Sequence, residues 1–170
     1  MTEDARDPMS SADGRELAFI RDERGRGRLM VRGLGANGAA EAVLTPPELN
    51  VYEAAFRSEG LYAVAGTQGA GRPAIYLVDR ERGWSMVKIA DARYPAISPD
   101  GRWLAYSHME NGVWNLWLMD IATGAKRRIA DVPCNQVQPS WESDSKTLLY
   151  GTDCGRSVWF TAVARRRVLP

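Results

Sequence analysis

One histidine and two cysteines occur in 170 residues, and that scarcity closes several routes to chemistry. His108 has no second imidazole beside it, and two cysteines with one distant histidine do not make the tetrahedral set that zinc takes. Gly-x-Ser-x-Gly and His-Glu-x-x-His are both missing, so the common nucleophile elbow and metalloprotease helix have no representative. Neither sign of charge is in excess: 22 basic and 21 acidic side chains leave a net charge of +1. That balance provides no field for nucleic acid or an anionic membrane. No apolar run approaches the roughly 18 to 20 residues that cross a bilayer. Met1 to Ser11 is polar and acidic, without the basic and apolar segments of a secretory signal. These absences predict a soluble chain that is not an enzyme and takes no cofactor or metal. Its expected partner is a protein, peptide or carbohydrate.

What is present is a repeat. Ala5-Arg-Asp-Pro-Met-Ser-Ser-Ala-Asp-Gly-Arg-Glu-Leu-Ala-Phe19 aligns with Ala92-Arg-Tyr-Pro-Ala-Ile-Ser-Pro-Asp-Gly-Arg-Trp-Leu-Ala-Tyr106. Arg57-Ser-Glu-Gly-Leu61 falls halfway between them, and Trp141-Glu-Ser-Asp-Ser-Lys146 follows the second. The period is about 44 residues, in the range of propeller blades. Sixteen positions after Asp13, Glu59, Asp100 and Asp144 stand Leu29, Ile75, Leu116 and Phe160. Each copy reads as four short strands, because apolar or alternating runs follow turn signals and no helical period is sustained. In the third copy the strands are expected near 93–98, 102–108, 113–119 and 126–130. Pro99-Asp-Gly101, Glu110-Asn-Gly112 and Asp120-Ile-Ala-Thr-Gly124 separate them as hairpin turns. Strands apolar on both faces, such as Trp114–Met119 and Val158–Val163, suit sheets stacked between neighbours. The reading is an all-β propeller, one domain over 1–170, with blades near 5–46, 47–90, 91–131 and 132–170.

The segment Tyr94–Tyr106 followed by Asn115–Gly124 resembles the WD40-like Pro-Asp repeat of TolB-like propellers, and the likeness runs over nearly the whole chain. It is strongest in the third copy and weakest in the second, where Glu59-Gly60 replaces Asp-Gly. The resemblance implies a noncatalytic binding scaffold, a module of a larger bacterial envelope or signalling protein. Its alternative is the accessory propeller of a peptidase or other hydrolase, acting as gate or substrate filter, with catalysis on a separate domain. TolB-like relatives usually have six or more blades, so four copies leave three arrangements open: a small ring, two chains closing an eight-bladed ring, or part of a longer propeller. An unclosed run would leave roughly 250–300 Å² of sheet face at each end.

The cysteines fall in the fourth copy. A hairpin turning at Ser143-Asp144 pairs positions symmetrically about it and sets Cys134 opposite Cys154. Directly paired strand residues approach disulfide distance. A Cys134–Cys154 bridge is therefore expected; two packed, reduced thiols are the other reading. The bridge would place the chain in the periplasm or outside the cell, with export supplied by a parent protein. Without it the chain would be cytoplasmic.

The starts of first strands and the loops between second and third strands should gather on one rim. The candidate binding residues there are Arg6, Tyr52, Arg93, Tyr94, His108, Asn135, Gln136 and Asp153. Their mixture of guanidinium, aromatic and amide groups suits protein or peptide contact, and the competing reading is that they merely cap strands. His108, ending a second strand, is expected to be exposed. Gly33-Leu-Gly-Ala-Asn-Gly38 matches a dinucleotide fingerprint in letters but lacks its βαβ setting, and it reads as a hairpin loop, as does Gly66–Gly71. Trp114, Trp117 and Trp159 are expected between blades, and so are Phe19, Tyr106 and Tyr150. Arg165–Arg167 is expected to open a terminal strand and protect its edge.

Overall fold

The computed structural model describes residues 4–11, 13–35, 41–56, 60–80, 88–129, 132–154 and 162–170. Their strands form four antiparallel sheets, each a meander in chain order. The first holds β1 (Ala5–Ser10), β2 (Glu16–Glu23), β3 (Arg26–Gly33) and β4 (Glu41–Val43). The second holds β5 (Leu49–Phe56), β6 (Leu61–Gln68), β7 (Ala74–Asp79) and β8 (Lys88–Ala90). In the third are β9 (Ala92–Ile97), β10 (Trp103–Glu110), β11 (Val113–Asp120) and β12 (Lys126–Arg128). The fourth is built from β13 (Gln136–Trp141), β14 (Thr147–Thr152) and β15 (Ala162–Arg167). The chain is thus all-β, four sheets of four or three strands, as a run of propeller blades requires. It divides into two compact units, Met1–Ala90 with the first two blades and Asp91–Pro170 with the last two.

Side chains in the Pro-Asp-Gly region explain the first hairpin of the first, third and fourth blades. Ser98 Oγ donates to Asp100 Oδ1 at 2.5 Å and accepts from the Trp103 amide at 2.9 Å, while the Arg102 amide donates to Asp100. Ser11, Asp13, Arg15 and Glu16 repeat the pattern bond for bond. The fourth blade varies it, with Asp144 accepting from the amides of Lys146 and Thr147 and from the Thr147 hydroxyl. The Ser11 hydroxyl holds the Asp13 carboxyl below its ordinary range, and backbone N–H donation from Lys146 does the same for Asp144. Left-handed backbone at Gly14, Gly101 and Ser145 lets the chain reverse there. The β10–β11 turn, Asn111-Gly112, has φ of 50° and 81°, the two positive values of a type I′ hairpin.

Packing is between sheets. In the first unit Ala18, Leu29 and Val31 of the first blade are buried with Leu49, Val51, Tyr62 and Val64 of the second. In the second unit Ala105, Leu116 and Leu118 pack against Leu148 and Tyr150, with Ala164 and Trp141 at the margin. Each buried aliphatic side chain contributes about 1.5–3 kcal/mol. The Trp141 indole also donates to the Ala96 carbonyl at 3.0 Å, tying β13 to β9.

Phe19, Tyr106 and Tyr150 are buried as expected. Ile75 holds the same hairpin position as Leu29 and Leu116, four residues before the end of the third-strand pairing. The fourth blade needs two corrections. Its pairing runs Thr147↔Arg167 to Thr152↔Ala162, so Val163, rather than Phe160, is the partner position of Leu29 and Leu116. The connection from β14 is longer than in the other blades, which shifts the register by three residues. Consequently Arg165–Arg167 closes the third strand instead of opening a fourth, and the described residues provide three strands where four were expected. Phe160, Trp159 and the Glu59 turn lie outside the described residues. Gly33–Gly38 joins antiparallel β3 and β4, as a hairpin loop should, although residues 36–40 also lie outside the described set.

Candidate functional site

The first strand of every blade slips by one residue against its neighbour. The shifts fall between Arg6 and Met9, between Val51 and Glu53, opposite Ala105–Ser107, and between Val137 and Ser140. In three of these strands the extra residue precedes a proline and has a left-handed backbone: Asp7 (φ 52°), Tyr94 (φ 54°) and Gln138 (φ 53°). Non-glycine residues avoid that region, and bulges of this kind re-aim a side chain beside functional sites. In β5 the slip surrounds Tyr52 without a proline. Pro8, Pro95 and Pro139 at equal repeat positions are the sequence signal for this feature.

In the first unit, Arg6 and Tyr52 are brought together. The Arg6 guanidinium donates to the carbonyls of Tyr52 (2.7 Å) and Val51 (3.0 Å) and pairs with Asp7, so it clamps β1 to β5. The Tyr52 hydroxyl shares a 2.6 Å hydrogen bond with Thr67. Gly27 permits the close approach of β5, since a Cβ there would lie 2.1 Å from the Val51 carbonyl oxygen.

The second unit carries the other six candidates at the start of β9, within β10, at the start of β13 and just after β14. The Arg93 guanidinium stacks over the Tyr94 ring at 4.9 Å, and Tyr94 meets Trp114 edge-on at 6.2 Å. Trp114 is half-buried rather than enclosed between blades as expected, and extends the aromatic surface that Tyr94 begins. His108 is also a correction. Its side chain is 28% exposed, with its ring edge-on to Trp117 and Nδ1 3.5 Å from Glu110 Oε1. Pairing with Ala92 and Asn115 places it inside β10, which runs two residues past the expected end at His108. Ser107 is fully buried on the opposite side of β10, so no Ser–His pair forms there.

Asn135, Gln136 and Asp153 work mainly as strand caps. Asn135 Oδ1 accepts from the Trp114 amide and Gln136 Oε1 from the buried Leu116 amide, at 3.0 and 3.1 Å. Asp153 holds Asn135 through its backbone and side-chain nitrogens, both at 2.7 Å. Asn50 and Thr45 perform the same duty for Gly27 and Leu29 in the first unit. Beside the caps, the Cys134–Cys154 disulfide closes the open end of the β13–β14 hairpin with a Cα–Cα distance of 5.1 Å, as the register predicted.

A polar recess of about 690 Å³ adjoins this rim, lined by Glu110, Asn115, Arg128 and Pro133 among others. The Arg128 guanidinium donates to Asn115 and sits 3.9 Å from Glu110. The ensemble brings together aromatic rings, a cation, a carboxylate and amides. Among the described residues no group of three or more His, Cys, Asp or Glu side chains is placed to hold a metal. No helix is long and apolar enough to cross a membrane among the described residues.

No family model matches the chain. An 87-residue stretch, 46% of the chain, is 33% identical to a TolB homolog of Chlorobaculum tepidum and covers 19% of that relative. TolB from Acinetobacter baumannii superposes with a TM-score of 0.77 at 18% identity, over 98% of this chain and 41% of its own. Puromycin hydrolase superposes with a TM-score of 0.74 at 17% identity, over 97% of this chain and 28% of the enzyme. The chain therefore spans about a fifth of the Chlorobaculum relative and two fifths of the Acinetobacter protein. In its repeat and its fold the chain is similar to the propeller of TolB over nearly its whole length.

Proposed function

We propose that the module is a noncatalytic protein- or peptide-binding scaffold of a larger bacterial envelope or signalling protein, and that it binds through the bulged starts of its first strands. The observation that carries this reading is the left-handed residue before proline at Asp7, Tyr94 and Gln138. Such backbone costs roughly 1–3 kcal/mol per site and persists only where its surroundings enforce it. At Tyr94 the bulge presents a ring flanked by Arg93 and Trp114, the residue types that dominate protein interfaces. The Asn135, Gln136 and Asp153 caps hold this surface still, which lowers the ordering cost of binding. The disulfide supports a location outside the reducing cytosol.

The test is selection of peptides from a displayed library on the purified chain, followed by affinity measurements on variants. Tyr94→Ala and Trp114→Ala should each weaken the selected peptides by roughly tenfold or more, whereas Arg24→Ala, at the exposed β2–β3 turn, should not. Equal binding by all three variants would remove the site. Selection of oligosaccharides but no peptide from parallel arrays would replace the partner class. The fold likeness to puromycin hydrolase favours a second reading, an accessory propeller beside a hydrolase domain; a hydrolase in the same reading frame would decide for it.

A further inference from the structure

The disulfide of blade four adjoins the side chains that finish a strand of blade three. Cys134 precedes Asn135 and Gln136, and Cys154 follows Asp153. The amides of β11 find two kinds of partner. The Asp120 amide donates to the Ala125 carbonyl at 2.9 Å, within blade three, whereas the Trp114 and Leu116 amides donate to the Asn135 and Gln136 side chains of blade four. The β13–β14 ladder begins at Gln136↔Thr152. Among the described residues, the two strands are fastened beyond it by Asn135–Asp153 hydrogen bonds and by the bridge. The two sulfurs are not equivalent, because Cys154 is exposed and Cys134 half-buried. The Thr152 hydroxyl accepts from the Cys154 amide at 3.2 Å and donates to Cys134 Sγ at 3.9 Å. An attacking thiolate therefore reaches Cys154 first, and a hydroxyl is already placed to hydrogen-bond the sulfur that leaves. Both the sulfur attacked and the quality of the leaving thiolate set the rate of thiol–disulfide exchange.

We infer that this bridge is a redox-sensitive clasp, opened at Cys154 by a dithiol reductant, that sets how firmly Asn135 and Gln136 hold β11. One thiolate of the reductant attacks Cys154 Sγ. The S–S bond breaks, and its electron pair leaves on Cys134 Sγ, which takes up a proton. The second thiolate of the reductant then attacks the reductant sulfur joined to Cys154, and Cys154 leaves as a thiolate and is protonated in turn. Two electrons and two protons pass to the chain, and the reductant ends as a disulfide. Exposed bridges are the labile, regulatory kind, and Cys154 gives this one its exposure. With the clasp open, the start of β13 is fastened among the described residues by the Asn135–Asp153 bonds alone, so it opens more often than the ladder behind it. Trp114, which meets Tyr94 edge-on, then loses its amide acceptor for a larger share of the time. The consequence for peptide binding rests on the rim being the binding surface; the chemistry at the sulfurs and the hold on β11 do not.

The experiment uses the intact chain. Reduced glutathione, a monothiol, is added, the reaction is quenched with acid, and the mixed disulfide is located by peptide mapping; the adduct should fall on Cys154 roughly tenfold more often than on Cys134. Thr152→Val should slow opening by dithiothreitol roughly fivefold, and Thr152→Ser, which keeps the hydroxyl, should restore it, with folding of both checked by circular dichroism. After reduction by dithiothreitol, amide exchange at Trp114 and Leu116 should accelerate roughly tenfold while Asp120 keeps its rate, and reoxidation should reverse the change. Three results would overturn the clasp: adducts as frequent on Cys134 as on Cys154, Trp114 and Leu116 rates indifferent to reduction, or equal acceleration at Asp120, which would make the bridge a staple of the whole unit. A peptide chosen by display should bind the reduced chain more weakly. Faster exchange at Trp114 and Leu116 with unchanged peptide affinity would leave the clasp standing and remove the rim from peptide binding.

Discussion

Blades three and four lie in the same compact unit and share the turn, the bulge before proline and the middle strand, yet their third strands are opposites. In blade three, Leu116 and Leu118 are fully buried against Leu148 and Tyr150. At the equivalent places blade four has Val163, 78% exposed, and Arg165, a side chain 67% exposed and paired with Glu142. The third strand of one blade is covered by apolar side chains of its neighbour, while the described residues of the other carry charge at the same place. The difference shows that repeat position alone does not fix burial; the residue and its next neighbour do.

Exchanging residues between the two blades should give the largest effect. Leu118→Arg would bury an unpaired guanidinium between sheets and cost several kcal/mol, on the order of 3–5, enough to unfold the second unit in urea titration. Arg165→Leu should leave the same titration nearly unchanged, since an exposed pair contributes little. Equal effects would break the distinction between the two faces. Reduction of Cys134–Cys154, a staple that only blade four has, should lower stability by about 2–4 kcal/mol. Amide exchange should then rise first in β13 and β14, with β10 and β11 following less. Gln136→Ala sharpens the link between the blades: it leaves the buried Leu116 amide without its acceptor and should cost about 1–3 kcal/mol, read as a lowered urea midpoint.

Acid should produce the smallest effect. Asp144 in blade four is held low first by the Lys146 amide, and Asp120 in blade three by the Thr123 amide, each below the ordinary 3.8. A lowered carboxyl stabilises the fold above that ordinary value, and the contribution is lost as pH falls through its value in the folded chain. Thermal midpoints should therefore fall below pH 3.8. Asp144→Asn should flatten part of that decline, while a decline unchanged in the variant would assign it to other groups.

Much of this architecture was legible in the residues. The spacing of Asp13, Asp100 and Asp144 located the blade hairpins, and symmetry about Ser143-Asp144 found the disulfide. Turn chemistry is local, so it survives without knowledge of the rest of the fold. The register of β15 did not survive, because the connection after Asp153 is longer than the repeat allows and moved Val163 into the place expected for Phe160. Trp114 was expected between blades, yet it is half-buried and meets Tyr94 edge-on, an arrangement that depends on contacts between strands far apart in the chain. The side chains of Asn135 and Gln136 are occupied by the amides of β11, a role that only the contact between sheets reveals.

The most direct test of the binding account is amide exchange on the chain with and without a peptide chosen by display. The account predicts slowed exchange around Ala92–Tyr94 and Val113–Asn115, with little change at the Pro99-Asp-Gly101 turn. Protection confined to that turn, or none in either place, would contradict it.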